Sequence, residues 1–427
     1  MQPTARHAWV LPATLLALLL VAGSARAAPP QLDAAAWIVI DASDGAVLTA
    51  SREHDSVPIA SATKIMTARI VLRELKLEQE VTATRYEAGI GESVLGLQRG
   101  ERITVHDLLY ALLLPSANDA AFTLAKRASG GVKQFVRAMN DESSRLGLDD
   151  THYASPVGLD STGNYSSAAD LASLARVDLR DREFRKIVDT ASITLESGAY
   201  PRTIESRNSL LFSYPWVNGV KTGYTAGAGN VLVASGRRDG VELISVVLDA
   251  PTEAARDADS LALLEWGFGR YSERTPLHRS KPVASVAVRY RDDEPLQLRP
   301  EHSLQVRARD DQRITRSFDI PAVVEGPIDP GKRIGSVSLR IDGRDAPIAT
   351  VGLVAAAAVE APGLLDRHGR ILGFLAIALG VPAGLLCLWW LRYRSRREQR
   401  QLKSREARAM ARRRAGIEDD DETGKPR

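Results

Sequence analysis

The hydrophobic pattern changes character several times along the chain. Up to about residue 275, short apolar runs of strand length mix with longer stretches of helical spacing. Ala36 to Ile40 is an unbroken apolar run, and with the Asp41 to Gly45 turn and Ala46 to Leu48 it predicts a hairpin. Val231 to Ala234 and Leu243 to Leu248, either side of Arg238, Asp239 and Gly240, predict a second hairpin on an Asp-Gly turn. Between them, Ser61 to Leu75, Val105 to Leu114, Val132 to Leu146 and Ala168 to Leu179 carry helical spacing. Strands at both ends with helices between predict one antiparallel sheet whose first and last strands meet around a helical insert.

From Pro276 to about Val351 the period falls to two. Val286, Val288 and Tyr290 alternate with Ala287 and Arg289. Val337, Leu339 and Ile341 alternate with Ser338 and Arg340 ahead of an Asp342-Gly343 turn. The pattern predicts a small all-β module over 276–352, sandwich-like, followed by a connector over 353–370. Ile371 to Leu391 then holds no charge and is long enough to cross a bilayer as a helix. Arg370 and Arg392 bracket it, and Trp389 and Trp390 stand where an aromatic belt falls.

The other end reads as an export signal. Arg6 and His7 precede the apolar run Ala8 to Ala22, and Gly23 to Ala27 supplies an A-x-A cleavage site, so residues 1–27 are expected to be removed. An uncleaved anchor is the alternative, although the run is short for a span of about 20 residues. Eleven Lys or Arg residues lie between Arg392 and Arg414. A basic flank stays cytoplasmic, which puts 28–370 outside the cytoplasm and makes 392–427 a cytoplasmic tail with an acidic end, Glu418 to Glu422.

Composition refines this picture in three places. The net charge of +3 does not imply nucleic acid, because the basic excess sits in the tail, where it holds topology and meets anionic lipid. The one cysteine, Cys387, lies inside the expected membrane helix, so the exported part forms no disulfide. Seven scattered histidines without H-E-x-x-H spacing disfavour a metal peptidase.

Three short pieces carry candidate chemistry. Ser61 and Lys64, three apart on a helix, share a face. A serine hydroxyl becomes a nucleophile when a base takes its proton, and a buried lysine can be that base. Taken alone, the pair also reads as a serine at a helix start with a solvated lysine one turn on. Pro115, Ser116, Ala117 and Asn118 follow an apolar helix and suit a loop pushed into a cleft. There Ser116 can relay a proton and Asn118 can hold a peptide carbonyl. Helix capping by Ser116, Asn118 or Asp119 is the plainer reading. Lys221, Thr222 and Gly223, after an expected Asn218-Gly219 turn, read as an edge strand. It offers a cation and a hydroxyl to a substrate carboxylate, with glycine permitting close approach; an exposed strand with a surface lysine is the alternative. The order and spacing of the three pieces together match the signature of penicillin-binding proteins and serine β-lactamases.

The flanking segments narrow the match. Pro58 to Thr67, Leu112 to Ala121, Asn164 to Ala172, Gly219 to Thr225 and Leu243 to Leu248 resemble the serine D-alanyl-D-alanine carboxypeptidases, the low-molecular-mass penicillin-binding proteins of peptidase family S11. Gly326 to Ile328 and Ile334 to Val337 resemble that family's C-terminal domain, so the likeness covers roughly residues 33–352. It implies a mixed α/β, β-lactamase/transpeptidase-like catalytic domain over 28–275. It also implies an acyl-enzyme route in which Ser61 attacks the carbonyl between the terminal D-alanines of a peptidoglycan stem peptide. Lys64 is then the base, Ser116 passes the proton to departing D-alanine, Lys221 and Thr222 hold the terminal carboxylate, and Asn118 orients the peptide. Backbone N–H groups of Ser61 and Tyr224 form the oxyanion hole beside Gly223. No cofactor is needed, and β-lactams are expected to acylate Ser61.

Two positions depart from the family pattern: Ala117 stands where many relatives have glycine, and Tyr224 where several have histidine. Three competing readings use the same fold. A β-lactamase of the commonest class carries an E-x-x-L-N segment, which is missing between Asn118 and Lys221. A D,D-endopeptidase uses the same groups on cross-linked peptides, and an inactive wall-binding protein more often shows a lost Ser or Lys.

Overall fold

The computed structural model describes residues 28–343 and 346–414. The expected signal segment 1–27 and the acidic run 418–422 lie outside the described residues. Contacts divide the chain into two compact units. One comprises the chain up to Arg274 together with 305–314 and 341–346; the other comprises 275–304, 315–340 and the chain from Pro347.

In the first unit the chain forms β1 (Ala36–Asp41), β2 (Val47–Ser51), a 3-10 turn (Ala60–Thr63) and α1 (Lys64–Glu74). It continues through β3 (Glu80–Thr82), β4 (Arg102–Thr104), α2 (Val105–Leu113), α3 (Asn118–Ser129), α4 (Val132–Leu146), α5 (Ala168–Asp178) and α6 (Arg182–Val188). Then follow β5 (Ser192–Leu195), β6 (Arg202–Glu205), α7 (Leu210–Ser213), β7 (Val217–Thr225), β8 (Gly229–Arg238), β9 (Val241–Ala250) and α8 (Glu253–Phe268).

The main sheet has the order β2-β1-β9-β8-β7, and every pairing in it is antiparallel. The first strand of this sheet in chain order pairs with its last, Ile38 opposite Val246, as the pattern of end strands around a helical insert predicts. Alternation explains why these strands read as unbroken apolar runs. Ile38, Ile40, Val231, Val233, Ile244 and Val246 face one core with Ile65, Leu108 and Leu171 of the inserted helices. Val39, Leu232, Ala234, Leu243 and Val247 face the other core with Leu263 and Leu264 of α8. A sheet covered on both faces has no polar face to show in the sequence.

Both hairpins stand where the pattern predicts them. The β8–β9 turn has Asp239 and Gly240 at positive φ, +52° and +78°, the twist that a two-residue turn needs. The Asn218-Gly219 turn does not form. Those residues lie inside β7, where the register slips between Val217 and Gly219.

The second part of the chain contains β10 (Tyr271–Leu277), β11 (Ala284–Val288), β12 (Arg291–Pro300), β13 (Leu304–Arg309), β14 (Ile314–Asp319), β15 (Val323–Val324), β16 (Arg333–Ile341) and β17 (Ala349–Ala355). Six of them form a sheet in the order β14-β16-β17-β12-β11-β15. Val286, Val288, Val337, Leu339 and Ile341 are buried, as the two-residue period predicts. Tyr290 is a correction: β11 ends at Val288, and Tyr290 sits exposed at positive φ in the turn to β12.

One helix, α9 (Leu364–Arg414), contains the apolar segment 371–391 and runs on through the arginine-dense stretch. At about 1.5 Å per residue the apolar part extends about 30 Å, the thickness of a bilayer core. It is a candidate span by length and composition.

Candidate active site

The first unit carries a cleft of about 520 Å³, lined by Ser61, Ser116, Asn118, Thr222, Gly223 and Tyr224 among others. All three motifs therefore contribute to one site, although they are separated by tens of residues in the chain.

Ser61 lies in the 3-10 turn, one turn earlier than the regular helix that its spacing predicts. Lys64 opens α1 and is fully buried. Its Nζ donates to Ser61 Oγ at 2.9 Å and to the Val157 carbonyl at 2.7 Å. Burial pushes the ammonium from 10.5 down to about 7. The Glu92 carboxylate pulls it up and the Arg207 cation lowers it further. A lysine with that pKa is a mixture of free base and acid near neutrality, which general base work requires.

The turn is held by close packing. Gly158, at φ +86°, lies against the Ala60 carbonyl, and a Cβ there would also meet Thr63 Oγ1 at 2.8 Å. Thr67 Oγ1 donates to the Pro156 carbonyl at 2.8 Å, and Asn164 Nδ2 to Thr63 Oγ1 at 3.1 Å. On the other side β7 comes close: a Cβ on Gly223 would sit 2.9 Å from Ser61 N and 3.0 Å from Ala60 Cβ. Glycine is what lets the K-T-G strand approach the serine turn.

Ser116 joins α2 to α3 at φ +68°. It is buried, and its hydroxyl has no hydrogen-bond partner among the described residues. Its hydroxyl caps no helix among the described residues, and the strained backbone holds it beside the cleft. Ala117 is the residue before α3 at an ordinary φ of −64°, so the methyl group that replaces the usual hydrogen meets no backbone strain. Asn118 begins α3, and its Nδ2 donates to Glu92 Oε2 at 2.8 Å. Asp119 does not cap its helix from outside. Its carboxylate accepts N–H bonds from Leu95, Gly96 and Leu97 at 2.9 to 3.0 Å and ties down the preceding loop.

Lys221, Thr222 and Gly223 lie on β7, the edge of the main sheet. Thr222 lines the cleft, whereas Lys221 is buried and its Nζ donates to the Thr222 carbonyl at 2.9 Å. Burial lowers its pKa strongly, and the cations Lys64, Arg207 and Arg256 add to that. Tyr224 is 65% exposed on the rim.

Four charged cleft residues escaped the sequence reading: Glu92, Arg207, Glu253 and Arg256. Arg207 is exposed and has no carboxylate partner among the described residues. Arg256 is buried and bound to Asp257 at 2.8 Å. No spacing links them to the motifs. The one signal was an arginine shortly before the K-T-G strand, which by itself is unremarkable.

The model of the peptidase S11 family, D-alanyl-D-alanine carboxypeptidase, matches residues 23–252. The chain belongs to that family. Among its S11 relatives, the D-alanyl-D-alanine carboxypeptidase DacD of Salmonella typhimurium is 33% identical over 355 residues, 79% of this chain and 90% of the relative. Penicillin-binding protein 5 from Haemophilus influenzae is similar in structure, with a TM-score of 0.56 at 29% identity over 78% of this chain and 99% of that one. The DD-transpeptidase of Streptomyces K15 matches with a TM-score of 0.55 at 32% identity, covering 57% of this chain and all of that chain (100%).

Proposed function

We propose that Ser61 is the acylated nucleophile of this serine-type D-alanyl-D-alanine carboxypeptidase and that Lys64 is its base. The observation that carries the assignment is the 2.9 Å contact between a buried lysine, its pKa lowered to about 7, and the serine hydroxyl. The substrate is a peptidoglycan stem peptide ending in D-Ala-D-Ala. Ser61 gives its proton to Lys64 as Oγ bonds to the carbonyl carbon between the two D-alanines. Backbone N–H groups of Ser61 and Tyr224 receive the developing oxyanion. The C–N bond then breaks, and the proton passes from Lys64 through the Ser116 hydroxyl to the leaving amine. Water repeats the sequence on the ester: its proton goes to Lys64, the shortened peptide leaves, and Ser61 recovers its hydrogen.

The terminal carboxylate is held by Thr222 and by the exposed guanidinium of Arg207, with Arg256 adding charge. Lys221 lies beneath Thr222, its Nζ donating to the Thr222 carbonyl in the free enzyme. Asn118 orients the acyl side of the peptide. β-Lactams present an amide and a carboxylate to the same groups and acylate Ser61, in keeping with a penicillin-binding protein. Residues 371–391 anchor the chain, and the export signal with the basic flank puts 28–370 on the extracytoplasmic side, where its substrate lies.

Free D-alanine released from a pentapeptide ending in D-Ala-D-Ala tests this reading. Release by the wild-type chain and none by Ser61→Ala is the expected result. Cross-linked dimers supplied in parallel measure endopeptidase action separately.

A further inference from the structure

We infer that Glu92 is a positioning residue for the reaction: its carboxylate orients the Asn118 amide and sets the charge that acts on Lys64. The inference rests on Lys64 being the base. Glu92 lies on the cleft-lining loop between β3 and β4. Its Oε2 accepts from Asn118 Nδ2 at 2.8 Å and from the Tyr86 hydroxyl, and its Oε1 accepts from the Gly89 N–H at 2.8 Å. With both oxygens committed within the protein, the carboxylate serves Asn118 rather than waiting for a cationic ligand.

An ionised carboxylate only accepts hydrogen bonds, so it can face the NH2 of an amide but not its oxygen. Glu92 therefore decides which way Asn118 points. With Nδ2 fixed on Glu92, the Asn118 amide is held in one of its two orientations. The loop is itself fixed to α3, because Asn118 N donates to the Ser93 carbonyl at 2.7 Å and Asp119 takes the three N–H groups of Leu95 to Leu97.

The second part is electrostatic. The charged groups acting on Lys64 are Glu92 from the loop and Arg207 from the chain after β6, while Lys64 itself lowers the neighbouring Lys221 of β7. Burial alone would raise the Glu92 carboxyl, but hydrogen bonds from Tyr86, Asn118 and Gly89 outweigh it and keep the group ionised. Its negative charge opposes the Arg207 cation and favours protonated Lys64. Without it, Lys64 loses its proton at lower pH.

The test is the pH profile of kcat/KM for D-alanine release by the full chain in detergent, with wild type, E92Q and Y86F. In wild type, activity rises with pH through a limb near neutrality. E92Q is isosteric but can present either end of its amide to Asn118. It should lower the plateau by about tenfold and move the limb to lower pH by roughly half a unit or more. Y86F disturbs the same contact but keeps the charge, and should leave the limb in place. A limb unmoved in E92Q, or moved equally in both variants, overturns the inference. Should E92Q fail to fold, Glu92→Asp withdraws the charge by one methylene and should shift the limb the same way by less; no shift there overturns it equally. A wild-type profile with no limb near neutrality would instead refute Lys64 as the base.

Discussion

Lys64 Nζ spends its hydrogen bonds on Ser61 Oγ and the Val157 carbonyl, and on no carboxylate among the described residues. A buried ammonium that is offered only a hydroxyl and a carbonyl is poorly compensated, which is why its pKa falls to about 7. With Lys64 as the proposed base the sign follows: the free amine is the working form, so acylation should accelerate as pH rises through about 7. Penicillin acylation rates measured from pH 5 to 9 should trace that limb. Lys64→Arg, which cannot deprotonate, should leave no measurable acylation at any pH in a folded protein.

Gly223→Ala tests the approach of β7 to the serine turn. The added methyl lands 2.9 Å from Ser61 N. Overpacking of this kind costs about 1–3 kcal/mol, visible as a drop in melting temperature. Displacing the nucleophile should slow acylation about a hundredfold. A normal acylation rate in this variant would mean that the strand does not position Ser61.

Arg207→Ala tests recognition of the carboxylate. Losing a charge-assisted hydrogen bond costs about 1.5–3 kcal/mol, so kcat/KM for the acid substrate should fall by tenfold or more. A substrate with an amidated C-terminus should be hydrolysed poorly by both proteins, with little difference between them. Equal losses on both substrates would place Arg207 elsewhere in the mechanism.

Glu142 tests the packing behind the site. Its carboxylate accepts from Arg69 at 2.6 Å, from Arg73 at 2.5 Å and from Arg145. Burial alone would raise its pKa, but these hydrogen bonds pull it down to about 2. A depressed carboxyl contributes stability above its unfolded pKa, and that stability is lost as pH falls towards 2. Chemical denaturation of wild type should therefore weaken from about pH 4.5 downward. Glu142→Gln should be less stable at neutral pH and show a flatter slope in that window.

Much of this was legible in the chain. The two hairpins, α4 (Val132–Leu146) and the meeting of β1 with β9 follow from apolar period and turn residues, which are local signals. Ser61 and Lys64 were legible as partners because three residues on a helical turn fix their geometry. Lys221 was legible as a motif but not in its orientation, since whether a strand lysine faces the cleft or turns inward depends on the packing around it. Glu92, Arg207 and Arg256 act through space on residues far away in sequence, and no periodicity reports that. The return of 305–314 to the first unit was equally hidden. It depends on Arg309 reaching Asp41 at 3.0 Å, while Asp41 also accepts from Tyr271 at 2.6 Å, contacts set by tertiary structure alone.

The most direct test of the central claim is the site of the covalent penicillin adduct. Full-length protein is treated with a penicillin, digested and mapped by mass spectrometry. The account predicts one adduct, carried by the peptide containing Ser61, and none in folded Ser61→Ala. An adduct on Ser116 or any other residue, or labelling that persists in Ser61→Ala, would contradict it.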